Sequence, residues 1–235
     1  MQINVYFVNC HFLLDFKTAD IKIVNVINFE RNIMKVILAS GSPRRKELLT
    51  KLGISFDVII SNADETISTI DPKAAVKELS EIKAKAVLNE INKGLHKDIL
   101  GDEKDYIIIG ADTVVAHGNK IIGKPKDKED AVKILLSLSG DIHSVYTGVT
   151  IIRVKDNEIS SHTFAESTSV SMYKITREEA NEYVNSGEPM DKAGAYAIQG
   201  LGMKFIRMIE GDYNNVVGLP AARLYHELKD VLPIE

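Results

Sequence analysis

KVILASGSPRRKELLTKLG (Lys35–Gly53) reads as a strand that turns straight into a helix. Lys35–Ala39 is a short apolar run of the kind buried in a sheet, and Ser40-Gly41-Ser42-Pro43 is a tight polar loop. Ser42 suits an N-cap, Pro43 suits the first helical position, and Gly53 suits the residue just past a helix end. Downstream, Phe56–Ile60 reads as a second strand and Asp71-Pro72 opens a long helix to about Asn92. Gly94–Asp105 is polar and reads as a surface loop. Tyr106–Ile109 is a continuous apolar strand that is expected to end at Gly110-Ala111-Asp112-Thr113. A hairpin at Gly118-Asn119 follows, then a helix over Asp127–Leu138 stopped by Gly140. Ile142–Val154 and Ile159–Tyr173 read as paired strands around Lys155-Asp156-Asn157. Thr176 and Glu179 make a capping box for a helix to about Ser186. A glycine-rich stretch (Asp191–Gly202), a strand (Phe205–Glu210) and a closing helix (Pro220–Val231) complete the chain. With no internal repeat and no linker, residues 34–235 read as one α/β domain.

Residues 1–33 differ from the rest. They are rich in apolar and aromatic side chains, hold the lone cysteine, Cys10, and contain no glycine or proline. The start lacks the basic region of a signal peptide, and no run reaches the roughly 18 apolar residues of a membrane helix. The segment is expected to be an added β-rich arm, or the product of a start upstream of Met34. Asp15, Asp20 and Glu30 offset Lys17, Lys22 and Arg31, so the formal net charge of -4 belongs to residues 34–235. That charge argues against a general nucleic-acid binder. One cysteine excludes an internal disulfide framework and a Cys-based zinc site.

Five places carry chemistry. Ser40-Gly41-Ser42-Pro43-Arg44-Arg45 joins a strand to a helix start, where unpaired N–H groups and the helix dipole suit an anion. The alternative is an ordinary capped helix with a solvated arginine pair. On a helical projection at about 100° per residue, Lys83 falls at about 40° from Leu79, inside the apolar arc. It either snorkels or meets a buried anion. Asp112, read as lying just past a buried strand, is placed to activate water, to bind a divalent ion, or merely to cap a loop. Asp64 and Glu65, also past a strand end, are candidates to complete a magnesium site. Lys124 sits in a Gly-Lys-Pro turn, and Gln199 lies among small residues that allow close approach of a flat ligand whose base edge its amide can read. Together these suggest a nucleotide polyphosphate and a metal.

The motifs LASGSPRRKELLTKLG (Leu38–Gly53), KAKA (Lys83–Ala86), GADTVV (Gly110–Val115) and GKP (Gly123–Pro125) resemble, in this order, the Maf family of nucleoside triphosphate pyrophosphatases. YTGV (Tyr146–Val149), EPMDKAGAYAIQGLG (Glu188–Gly202) and NNVVGLP (Asn214–Pro220) extend the resemblance, which runs from Met34 to the C-terminus. It implies a mixed sheet with flanking helices and a central cleft, as in the inosine triphosphatase group. It also implies hydrolysis of the α–β phosphoanhydride with a divalent cation (Mg2+ or Mn2+), a homodimer and a cytoplasmic location. By motif, Asp112 would be the proton acceptor and Glu65 a metal or water partner. Ser40, Arg45, Lys83 and Lys124 would hold phosphates. Arg44, Thr113 and Gln199 match the dTTP/UTP branch, whereas the branch acting on 7-methyl-GTP tends to have Trp, Gln and Glu there. The alternatives are a pyrophosphatase for such a modified nucleotide, or a septum-formation regulator acting through protein contacts.

Overall fold

In the computed structural model, residues 2–7, 10–15, 21–22, 34–118, 120–229 and 232 are described, and the chain divides into two units, Met1–Ile33 and Met34–Glu235. In the first, β1 (Gln2–Phe7), β2 (Cys10–Asp15) and β3 (Ile21–Lys22) form an antiparallel sheet in the order β1-β2-β3. The remainder of that segment lies outside the described residues, as do Asn119 of the expected hairpin and Asp230 and Val231 of the expected closing helix.

The second unit is built on a mixed sheet. Its first βα unit is β4 (Lys35–Leu38) and α1 (Pro43–Lys51), with Gly53 in the left-handed region at φ 72. There follow β5 (Asp57–Val58), α2 (Pro72–Asn92), capped by the Asp71 carboxylate accepting from the Ala74 N–H, and a short α3 (Lys97–Leu100). That short helix replaces the expected uniform loop over Gly94–Asp105; four residues carry too little periodicity to be seen in sequence. The centre is β6 (Tyr106–His117), followed by β7 (Lys120–Ile122), α4 (Lys128–Leu138), β8 (Ile142–Lys155) and β9 (Glu158–Met172). The chain ends with α5 (Arg177–Asn185), three 3-10 turns between Glu188 and Phe205, β10 (Ile206–Glu210), α6 (Tyr213–Val217) and α7 (Ala221–Leu228). The capping box at Thr176 and Glu179 forms as expected.

Sheet order is β10-β9-β8-β6-β4-β5, with β7 also paired to β6. β4 runs parallel to β5 and β6, while β8 is antiparallel to β6 and β9. The observed β6 corrects the expectation that the strand stops at Ile109. It continues to His117 because β8 pairs with it from Tyr106 to Ala116 and β7 pairs with His117, so Asp112 lies inside a strand, opposite Gly148. What does end near Ile109 is the parallel partner: β4 pairs with Tyr106–Ile109 only, and β7 resumes pairing at Val115. Between them, one edge of β6 has no strand partner.

Alternation sorts the core. Ile107, Ile109 and Ala111 face a cluster with Leu48, Leu49, Leu224 and Leu228 from α1 and α7. Val115 faces a second cluster with Leu135 and Leu138 of α4 and Val184 of α5. Ile108 faces the other side, against Val87 and Leu88 of α2. α2 approaches the sheet closely at two glycines on that face. A Cβ on Gly110 would come within 2.9 Å of the Ala84 N, and one on Gly148 would come within 2.8 Å of the Lys77 N and collide with the Val76 carbonyl. These bare positions bring the α2 backbone down onto the sheet. No helix among the described residues is long and apolar enough to cross a membrane.

Candidate active site

The unpartnered stretch of β6 is the floor of a cleft of about 680 Å³. Asp112 and Thr113 lie on opposite faces of the strand, yet both line this opening because no neighbouring strand separates them there. Ser40, Arg44, Arg45, Glu65, Lys83, Lys124 and Gln199 line it too. These nine residues therefore meet at one place, although they come from distant parts of the chain. Asp64, the other carboxylate expected at a magnesium site, does not line the cleft; its Oδ1 accepts instead from the Thr66 N–H at 3.2 Å and the Thr66 hydroxyl at 2.7 Å. The volume falls in the usual range for small-molecule sites, roughly 300–1,000 Å³.

Lys83 sits about three turns into α2, on its sheet-facing side next to the Gly110–Gly148 depression. Its ammonium bonds the Asp112 carboxylate and lies 3.2 Å from Glu65 Oε2. The lysine and aspartate side chains are only 12% and 15% exposed, against 52% for Glu65. Of the two sequence readings of Lys83, the anionic partner is therefore the one observed. Coulomb attraction at this separation is only partly screened, since two of the three groups are largely out of water.

Arg45 is buried and almost fully spent within the protein. Its Nε donates to the Gly218 carbonyl at 2.9 Å, and Nη1 donates to Ser40 Oγ at 3.0 Å and to the Ala111 carbonyl at 2.8 Å. Nη2 donates to Thr113 Oγ1 at 3.1 Å. The Ala111 carbonyl sits where β6 has lost its parallel partner, so Arg45 supplies the donor that a strand would have given. Burial, opposed by the nearby Asp112 charge, holds the Arg45 pKa below its ordinary value. Ser40 and Thr113 are thus tied to Arg45 rather than free, and Thr113 Oγ1 also lies 2.9 Å from Thr147 Oγ1. The guanidinium keeps its charge in the cleft, but its main geometric task is to hold the β4–α1 turn, β6 and the α6–α7 turn together.

The N-cap expectation for Ser42 needs the same correction. Ser42 takes the N-cap position of α1, yet its side chain makes no cap bond; its backbone N–H donates instead to Ser40 Oγ at 3.3 Å. The first turn of α1 therefore faces the cleft without a side-chain cap, which suits an anionic ligand. Arg44, on that turn, lies 3.7 Å from Asp191 across the mouth. Lys124 is exposed and forms no ion pair among the described residues.

The glycine-rich segment forms the opposite wall. The Gly194 N–H donates to the Gly123 carbonyl at 3.1 Å, which fastens this wall to the turn that bears Lys124. Gln199 makes no side-chain hydrogen bond among the described residues, so its amide is available to a ligand. Behind the wall, the Tyr196 hydroxyl lies 2.7 Å from His143 Nε2. Burial pushes the tyrosine pKa up and lowers that of His143 to about 4, with His117 adding to the second shift. The histidine is therefore neutral at neutral pH, and its buried Nδ1 has no hydrogen-bond partner among the described residues. Neither residue was singled out from sequence. A histidine within an alternating β pattern looks like any other inward polar residue.

The comparisons fit this geometry. The family profile of Maf-like proteins matches residues 35–231. The chain belongs to the Maf-like family. Its Maf-like relatives include a protein from Agathobacter rectalis named dTTP/UTP pyrophosphatase, 52% identical over 198 residues, which covers 83% of this chain and 96% of that one. Proteins of the same name from Lachnoclostridium phytofermentans (47% identical, 83% and 94% covered) and Thermoanaerobacter pseudethanolicus (46% identical, 83% and 96% covered) are similar over the same span. The Maf-like match contains every residue of the cleft.

Proposed function

We propose that this chain is a nucleoside triphosphate pyrophosphatase that hydrolyses dTTP and UTP to the monophosphate and pyrophosphate. The observation that carries the reading is the Lys83–Asp112–Glu65 cluster at the open edge of β6, facing a helix N-terminus and two arginines, in a chain about half identical to dTTP/UTP pyrophosphatases. Asp112 would act as general base: it takes a proton from a water whose oxygen attacks the α-phosphorus, and the bond to the bridging oxygen breaks to release pyrophosphate. Lys83 orients that carboxylate and offers positive charge to the α-phosphate. Arg44, Lys124 and the first turn of α1 bind the β- and γ-phosphates. Arg45 contributes charge and fixes the turn that carries Arg44.

Asp112 and Glu65 are oxygen donors that converge on a single ammonium, and no cluster of three or more His, Cys, Asp or Glu forms among the described residues. Such a pair fits a hard divalent ion completed by water and substrate oxygens, the usual manner of Mg2+. Asp112 and Glu65 would hold it, and when bound it would neutralise phosphate charge and polarise the reacting phosphorus.

Gln199 supports the pyrimidine choice. A neutral amide both donates and accepts, matching a uracil or thymine edge, whereas a cationic methylated guanine is better met by a carboxylate. The test is pyrophosphate release from dTTP, UTP, CTP and 7-methyl-GTP with Mg2+ or Mn2+. Turnover of dTTP and UTP well above the others is expected. No turnover of any triphosphate with either metal would overturn the enzyme reading.

A further inference from the structure

Gln199 lies in a short span with no regular secondary structure, so something else must hold it. Two side chains do so from both ends, Tyr183 behind the wall and Glu188 on the lining of the cleft, with both its carboxylate oxygens engaged by the loop and the phenol. On the N-terminal side, the Ala197 N–H donates to the Tyr183 hydroxyl at 3.0 Å. That hydroxyl donates onward to Glu188 Oε1 at 2.7 Å. On the C-terminal side, the Gly202 N–H donates to the same Oε1 at 3.0 Å, and the Leu201 N–H donates to Oε2 at 3.0 Å. One carboxylate and one phenol thus anchor the backbone just before and just after Ile198-Gln199-Gly200.

Packing closes the arrangement. Gly200 adopts φ 86, and a Cβ there would meet the Glu188 carboxylate carbon at 3.0 Å. A Cβ on Gly202 would come within 2.7 Å of the Tyr183 hydroxyl. The loop therefore sits against the pair only because both positions lack side chains. Tyr183 is buried at the end of α5 and stacks edge-on against Phe205 at 5.4 Å between centroids, so the relay rests on a rigid element. Burial opposes the Glu188 charge, but the Leu201 N–H, the Tyr183 hydroxyl and the Gly202 N–H outweigh it and hold the pKa below the usual range. The acceptor is ionised at neutral pH, which strengthens each bond it accepts.

We infer that Tyr183 and Glu188 are positioning residues that set Gln199 against the nucleotide base, so that base selectivity depends on a hydrogen-bond relay that need not touch the substrate. The inference rests on the reading of Gln199 as the base reader. Neither side chain belongs to the proton-transfer or phosphate-binding set, so their loss should loosen base recognition and leave the chemical step nearly intact.

The experiment measures kcat and KM for dTTP, UTP and CTP with Tyr183→Phe, Glu188→Gln and Gln199→Ala of the full chain, with thermal unfolding of each. Tyr183→Phe keeps the ring and deletes both hydroxyl bonds; Glu188→Gln keeps the shape and removes the charge, so one of the two remains informative if the other folds poorly. Both should raise KM for dTTP about tenfold, the scale of one well-formed hydrogen bond to a charged group, and narrow the dTTP-to-CTP ratio. kcat should change by less than about twofold, since the catalytic groups are untouched. If Gln199→Ala alters the ratio while the folded positioning variants leave it unchanged, the inference is overturned and the base reader stands. If Gln199→Ala itself leaves the ratio unchanged, the reading of Gln199 fails, and the inference falls with it. A fall in kcat and kcat/KM together, with the ratio kept, would make the pair a scaffold of the whole site and also overturn it.

Discussion

Gly148→Ala tests how the fold builds the site, because the substitution lies on β8 and adds a single methyl group. That methyl would stand 2.8 Å from the Lys77 N, where ordinary contact begins at 3.4 Å, so α2 must move off the sheet by at least about 0.6 Å, and further to clear the Val76 carbonyl. The obstructing atoms are helix backbone, which no rotamer change relieves. Overpacking of this kind costs about 1–3 kcal/mol, and rigid backbone places it near the upper end. For a domain of this size each kcal/mol lowers Tm by about 2–4 °C, so a fall of roughly 6–12 °C is expected. The same displacement carries Lys83 away from Asp112. A shift of about 1 Å in a catalytic pair is enough to lower kcat about 10²-fold. Calorimetry and steady-state release of pyrophosphate from dTTP measure both effects. Unchanged Tm and unchanged kcat would refute the argument that the bare glycines set the height of α2. A lower Tm with full kcat would refute the link between that height and Lys83.

Asp112→Asn should abolish hydrolysis while nucleotide binding by calorimetry falls little, since an amide keeps the shape but accepts no proton from water; substantial turnover would remove its role as base. Arg45→Lys should destabilise the protein by about 3 kcal/mol in urea unfolding, because a lysine cannot serve the Gly218 and Ala111 carbonyls, Ser40 and Thr113 together and leaves buried acceptors unpaired. Wild-type stability in that variant would contradict the bracing role. Stability should fall as pH drops from about 6.5 to about 4. In that window the unfolded state protonates His143 and the folded state does not, so the unfolded state binds more protons and stability rises with pH. His143→Gln should flatten the part of the slope that this residue supplies, by at most about 3 kcal/mol across the window. A slope unaltered by the substitution would show that His143 is not its source.

Where local chemistry decides structure, the sequence was readable. Asp71 before Pro72 and the Thr176–Glu179 box mark helix starts through bonds formed within three residues, and those starts are where they were expected. The inward position of Lys83 was readable for the same reason, because helical periodicity needs no distant partner. β6 was cut short because Gly110-Ala111-Asp112-Thr113 has the composition of a loop. Its extended form is sustained by β8, more than thirty residues on, and its glycine is needed for the approach of α2. The bracing bonds of Arg45 were not legible because its partners, Ala111 and Gly218, lie 66 and 173 residues away. The Tyr183–Glu188 relay escaped notice in the same way, since its contacts reach the backbone of a segment with no periodic signal. These misses share one physical origin. The cleft exists where a strand partner is missing along β6, and a gap in pairing leaves no mark in the residues that border it. The sequence therefore displayed the charged groups that line the opening, while the bonds that hold the opening in shape became visible only once the sheet was assembled.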